Sequence, residues 1–228
     1  MPTLLLRLAA PMQSWGTTSR FDERDSQLEP SKSGVVGLLC AALGRDRAEP
    51  IDELAALRMG VRVDREGLLM RDYQTATGVL IATGKVDVDR TVVSPRYYLA
   101  DAAFLIGLQG EDTALFAALR TALRTPRWPL ALGRKSFAPA QPVWLDDPPF
   151  HGVHPGPLED ALRAQPRIAP ARREHRDQPV RLLLEHTHEG ALRHDQPTGP
   201  FIARKFGPRY VVSGVLAHVP EPPATEPA

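Results

Sequence analysis

TLLLRLAAPMQSWGTTSRFDERDSQLEPSKSGVVGLLCAALG, residues 3–44, joins a short apolar run to a helical one, and the fold follows from how its two ends read. Residues 3–10 are continuously apolar apart from Arg7 and stop at Pro11, the pattern of a buried first strand. Residues 33–44 place Val35, Val36, Leu39, Cys40 and Leu43 at helical spacing, with Ser33 as expected N-cap and Gly44 as stop.

Outward from that unit, residues 59–64 and 68–75 flank Arg65-Glu66-Gly67 and read as a hairpin. Residues 101–108 form another buried strand. Residues 111–124 form a helix with Leu115, Phe116, Leu119 and Leu123 on one face, and the segment around Trp144 closes the sheet. This order predicts an α+β fold with a ferredoxin-like (RRM-like) β-α-β-β-α-β core. Its insertion, residues 76–98, is two alternating segments around Thr83-Gly84, expected to project as a hairpin that meets a partner.

The expected organisation is a first domain at 1–147, a connection at 148–179 with seven prolines, a small, mainly β C-terminal domain at 180–219, and a disordered tail at 220–228.

The lone Cys40 excludes a disulfide framework and a cysteine-based zinc site. No apolar run approaches the ~20 residues of a bilayer span, and no cleavable signal pattern opens the chain, so a soluble cytoplasmic protein with no membrane partner is expected. The formal net charge of +1 hides an uneven distribution. Residues 113–145 hold Arg120, Arg124, Arg127, Arg134 and Lys135 without an acid, and residues 196–220 hold Arg204, Lys205 and Arg209 without one. Of the 28 cations, 24 are Arg, the better residue for bidentate phosphate contacts and for stacking on bases.

The first acid-free stretch contains LALGRKSFAPA, residues 130–140. Gly133 allows close backbone approach to a ligand, while Arg134, Lys135 and Ser136 offer phosphate donors. A solvated basic surface around a tight turn is the plainer alternative. Ser31, Lys32 and Ser33 before the helix make a second candidate anion site, or an N-cap without a ligand. The glycine that a triphosphate-binding loop needs upstream is missing. Met12, Gln13, Ser14 and Trp15 follow the first strand, where the indole either stacks on a base or packs on the sheet. Tyr73, Tyr97 and Tyr98, interleaved with Arg71 and Arg96, either line a single-strand path or face the core.

Catalytic patterns are sparse. All seven histidines lie after residue 150, leaving the first domain without an imidazole for acid–base work. His186, His188 and His194 show no recognisable fourth ligand, so neither metal nor cofactor is expected. Cys40 falls on the buried face of its helix.

LLLRLAAPMQSWG, PSKSGVVGLLCAALG, RDYQTATG, RYYLADAAFLIGL and LALGRKSFAPAQPVWL, in this order, resemble the Cas-five family of type I-E CRISPR systems, within the repeat-associated RNA-binding superfamily. The resemblance implies an RNA-binding subunit of a surveillance complex that holds the 5′ handle of the CRISPR RNA and contacts the large and backbone subunits. Target DNA is met only through the complex. It also implies that residues 76–98 are a thumb over the guide, with Arg90 and Arg96 as RNA contacts. Met12–Trp15, Ser31–Ser33 and Gly133–Ser136 become handle-binding loops. Type I-E members are not nucleases, whereas type I-C members cleave repeat RNA, which leaves a metal-independent endoribonuclease as the alternative. The sequence departs from the family pattern between Thr17 and Pro30, in the short thumb and in the Pro-rich connection.

Overall fold

The computed structural model describes residues 1–18, 23–146, 150–169 and 178–220. Strand β1 (Thr3–Ala9) is covered on both faces of its sheet, and its side chains divide between two cores. Leu4, Leu6 and Leu8 join one cluster, while Leu5 and Ala9 join the other. A strand buried on both faces shows an apolar run rather than alternation, as residues 3–10 do.

Helix α1 (Lys32–Leu43) covers one face of the sheet. It starts two positions earlier than expected, because Ser31 rather than Ser33 is the N-cap and accepts from the Gly34 N–H; Gly44 ends it in the left-handed region. The one-turn helix α2 (Asp52–Ala55) follows and contributes Leu54 to the same core. Helix α3 (Thr113–Arg124), capped by Asp112, adds Phe116, Leu119 and Leu123.

Strands β3 (Arg58–Arg65) and β6 (Ala103–Gln109) complete the centre: β1 pairs antiparallel with β6, and β6 with β3. On the opposite face, α4 (Leu158–Ala164) buries Leu158, Ala161 and Leu162 against Leu5, Ala103 and Leu105. The end of α4 is held by Arg62, fully buried, which pairs with Asp64 at 2.6 Å and donates to the carbonyls of Leu162, Gln165 and Pro166. Those carbonyls have no partners within the helix, so a buried guanidinium at this point satisfies both itself and the helix terminus.

Two sequence expectations fail at Gly67. The expected hairpin of residues 59–64 with 68–75 does not form. Strand β3 stays in the buried sheet, whereas β4 (Leu68–Leu80) leaves it and pairs with β5 (Val86–Ala100) from Leu68↔Ala100 to Leu80↔Val86. The change of direction occurs at φ +73, where a Cβ would stand 2.7 Å from that of Ala102. The resulting arm therefore begins at Leu68 rather than at residue 76. Its far end is solvent-exposed on both strands, and β2 (Met12–Gln13) joins it as a third strand beside β5.

The C-terminal strands correct the expected domain division. Strand β8 (Val180–His186) pairs with β3, β10 (Phe206–Leu216) pairs with β8, and β9 (Ala191–Pro197) forms the outer edge. They extend the same antiparallel sheet, in the order β7-β1-β6-β3-β8-β10-β9, with β7 (Val153–His154) on the other side of β1. Val180, Leu182 and Leu183 reach into both cores, so the two regions share one interior. Trp144 makes a single bridge to Leu6 instead of a closing strand. Residues 221–228 of the expected tail and most of 170–179 lie outside the described residues.

Candidate nucleic-acid interface

The loop 130–140 is fastened to the root of the arm. Ser14 N–H donates to the Leu132 carbonyl at 3.1 Å, and Leu132 N–H donates to that of Phe137 at 2.8 Å, closing a tight loop. Gly133, at φ +95, lies so close to the Ser14 carbonyl that an ideal Cβ would be 1.7 Å from its oxygen. Only glycine fits such a position. Beyond it, Arg134 donates to the Tyr97 carbonyl at 2.8 Å and lies over the Phe137 ring, 5.4 Å from its centroid. Ser14 Oγ donates to the same carbonyl at 3.1 Å, and the Tyr98 and Phe137 rings approach to 5.9 Å.

An open groove of about 650 Å³ lies between this loop and the arm, lined by Met12, Asp72, Gln74, Arg96, Tyr98, Arg134, Lys135, Ser136 and Phe137. Asp72, Gln74, Arg96 and Tyr98 occupy one face of the β4–β5 ladder, where Asp72 stands opposite Arg96. Arg24 flanks this ladder: its N–H donates to the Pro95 carbonyl and its own carbonyl accepts from the Tyr97 N–H. Partial burial, and then the charges of Arg96 and Arg24, hold the Arg134 guanidinium below its usual value, with Asp72 opposing them. Three guanidiniums gathered this closely, with the charges of two acting on Arg134, form a positive field suited to a polyanion.

Not every sequence candidate faces this groove. Met12, Arg96, Arg134, Lys135 and Ser136 line it, with Gly133 at its rim as the turn of the loop. Gln13 is buried, its Nε2 donating to the carbonyls of Leu8 and Ala102, and Ser14 is spent on the Tyr97 carbonyl. Trp15, 1% exposed, donates through Nε1 to Gln13 and packs against Gly34, so the indole is a core residue and not a stacking platform. Arg90 is exposed on β5, six residues from Arg96 and thus roughly 20 Å farther along the arm at ~3.3 Å per residue.

The expected anion site at the start of α1 is filled from within. The Lys32 N–H donates to Asp195 Oδ2 at 2.8 Å, and the Ser31 side chain is the cap. Ser33 is half-buried and directs its hydroxyl at Ser31. The Lys32 side chain is 2% exposed and pairs with Glu185 at 2.9 Å. Burial lowers the pKa of that ammonium despite the raising effect of Glu185. The helix terminus does attract an anion, as its dipole requires, but the anion is Asp195, itself clamped by Arg209 at 2.6 Å.

The sequence missed Asp72, Gln74 and Phe137. Phe137 lay inside the quoted loop, and its spacing from Arg134 was the available signal; Asp72 and Gln74 differ by two positions in an alternating segment, which puts them on one side of a strand.

A family model described as "CRISPR-associated protein (Cas_Cas5)" matches residues 3–212. The chain is 33% identical over 156 residues to the CRISPR system Cascade subunit CasD of Escherichia coli (strain K12), covering 62% of this chain and 69% of that protein. It superposes with TM-score 0.78 and 49% identity on a solved structure described as a Cas protein, covering 97% of this chain and 100% of the other. A chain of a CRISPR RNA-guided surveillance complex superposes with TM-score 0.76 and 33% identity, covering 94% of this chain and 90% of that one. A match to the family along almost the whole length, with the basic glycine loop inside it, assigns the protein: this chain belongs to the Cas5 family of CRISPR-associated proteins.

Proposed function

We propose that this chain is the non-catalytic, RNA-binding subunit of a Cascade-type surveillance complex, and that it grips the 5′ handle of the CRISPR RNA in the groove between the glycine loop and the root of the arm. The likeness to the Cascade subunit CasD and to a chain of an RNA-guided surveillance complex supports membership of the assembly. The observation that carries the handle assignment is the convergence of Arg96, Arg134 and Lys135 with the Tyr98 and Phe137 rings around one open groove. Cations neutralise phosphates while aromatic faces receive unstacked bases, the combination by which single-stranded RNA is held.

In this reading β1, α1, β3, β6 and α3, with β7 beside β1, form a ferredoxin-like core, and the β4–β5 hairpin is the thumb that closes over the guide. The exposed apolar tip of that hairpin, with Leu80, Val86 and Val88, then meets a neighbouring subunit. Target recognition is left to base pairing in the guide.

Repeat cleavage without a metal needs a general base near a ribose 2′-OH. The groove lining offers no imidazole for that role, and Asp72 is occupied by Gln74. Incubation of the purified protein with its own repeat RNA in EDTA tests both halves: retention of intact RNA, with preference for the handle over a scrambled sequence, is the expected result. Site-specific cuts would establish the endoribonuclease instead.

A further inference from the structure

The groove contains a carboxylate where a site for phosphate alone would have none. Asp72 stands directly across the ladder from Arg96 and shares the lining with Arg134 and Lys135. A carboxylate among guanidiniums ordinarily closes an ion pair. Among the described residues, Asp72 has no salt bridge or hydrogen bond to either arginine; its partner is Gln74, whose Nε2 donates to Oδ2. Arg134 directs its guanidinium to the Tyr97 carbonyl, and the Nε of Arg96 is buried without a hydrogen-bond partner. The groove therefore presents an acceptor held in place by a neighbouring amide, beside a donor that no described residue satisfies. Buried polar atoms are rarely left in that state unless something else supplies the partner.

We propose that Asp72, oriented by Gln74, reads the base edge of one nucleotide in the groove and selects an amino-bearing base (cytosine, adenine or guanine) against uracil. The inference rests on the groove being the RNA site and adds what that site discriminates. An exocyclic amino group donates to a carboxylate, as cytosine N4 does in direct readout. Uracil turns carbonyl oxygens outward on either side of one imino N–H, so a fixed carboxylate faces lone pairs. Tyr98 and Phe137 supply a face for the base, and Arg96 and Lys135 meet the flanking phosphates. An acid in a basic groove lowers affinity for RNA as a polyanion; selectivity is what it returns.

The test measures affinities of the full-length protein and of Asp72→Asn for the handle RNA of its own repeat, and for RNAs with uracil substituted at each handle position in turn. Asparagine keeps the shape but offers both a donor and an acceptor, so it accommodates uracil. In the wild type, uracil at one position that carries an amino-bearing base weakens binding roughly tenfold. Asp72→Asn removes that penalty and leaves the penalties at other positions unchanged. Asp72→Asn altering affinity by one common factor for all the RNAs, or leaving every penalty intact, overturns the proposal while the groove remains the RNA site. No preference for handle over scrambled RNA overturns the functional reading and this proposal with it.

Discussion

Gly133 and Ser14 are in contact through backbone alone: a Cβ on Gly133 would stand 1.7 Å from the Ser14 carbonyl oxygen, and the glycine sits at φ +95. The contact presses the cationic loop onto the start of the arm. Gly133→Ala meets both a steric wall and a backbone conformation costing about 1–3 kcal/mol for a residue with a Cβ. For a chain of this size a cost of about 2 kcal/mol lowers the Tm by roughly 4–8 °C. Thermal unfolding measures that loss, and the variant should lose handle binding as well, because the loop cannot keep Arg134 against Tyr97.

Arg134 is held as a fork, with one arm on the Tyr97 carbonyl and its plane over Phe137. Lysine retains the charge but neither the fork nor the stacking. Arg134→Lys should therefore weaken handle affinity by several-fold while changing its salt dependence little. Filter binding at several salt concentrations separates the two quantities.

Lys32 is buried in an ion pair and does not line the groove, so its replacement should leave RNA binding unchanged. Lys32→Ala leaves Glu185 without its 2.9 Å partner in a largely buried setting, at about 3–5 kcal/mol for a broken buried pair, with Glu185's partial exposure putting the value at the lower end. Denaturant unfolding should record that loss, and the slope of RNA affinity against salt should stay at the wild-type value.

Asp195 makes stability depend on acid. Burial acts to raise its pKa, but the hydrogen bonds and charge of Arg209, with the Lys32 N–H, bring it below the ordinary aspartate value. A carboxyl whose folded pKa is depressed adds stability that is complete above its unfolded pKa and is lost as the pH falls through the folded one. The loss therefore falls below about pH 4. Asp195→Asn should be less stable at neutral pH and show a shallower dependence over that acidic window, measured by urea unfolding across pH.

Cys40 lies in the core face of α1, where burial pushes its thiol up to about 11. At pH 8 almost none is thiolate, and the sulfur is covered. Alkylation by iodoacetamide should be negligible in the native protein and complete in denaturant; rapid native labelling would mean that α1 opens.

The parts of the fold legible in the sequence are those whose burial is local and periodic. Strand β1, helices α1 and α3 and strand β6 announce themselves through apolar runs or one-sided stripes, and their caps lie within a residue or two of the expected positions. Arg65-Glu66-Gly67 shows where the limit lies. Its composition marks a turn, yet whether the chain returns to its own sheet or crosses to another depends on partners some thirty-five positions away, at Ala100 and Ala102. The C-terminal strands look like a separate unit because 148–179 is rich in proline; their place beside β3 is set by the pairing of Val61 with Leu183.

The site divides in the same way. Gly133, Arg134, Lys135 and Ser136 were visible because glycine, cations and a hydroxyl lie together in an acid-free stretch. The burial of Lys32 and Trp15 is not legible locally, because the groups that bury them, Glu185 and Gly34, are far along the chain or on the next element. Asp72 was hidden by its charge, since an acid in an RNA site runs against the composition argument that located the site.

The central claim, that this chain holds RNA phosphates with the glycine loop, is tested most directly by the salt dependence of handle-RNA affinity for the double variant Arg134→Ala/Lys135→Ala. Each phosphate contact to a single strand contributes about 0.7 to the slope of log affinity against log salt. The variant should bind more weakly and its slope should flatten by roughly 1.4, one increment for each lost contact. An affinity and a slope identical to those of the wild type would contradict the assignment of this groove to RNA.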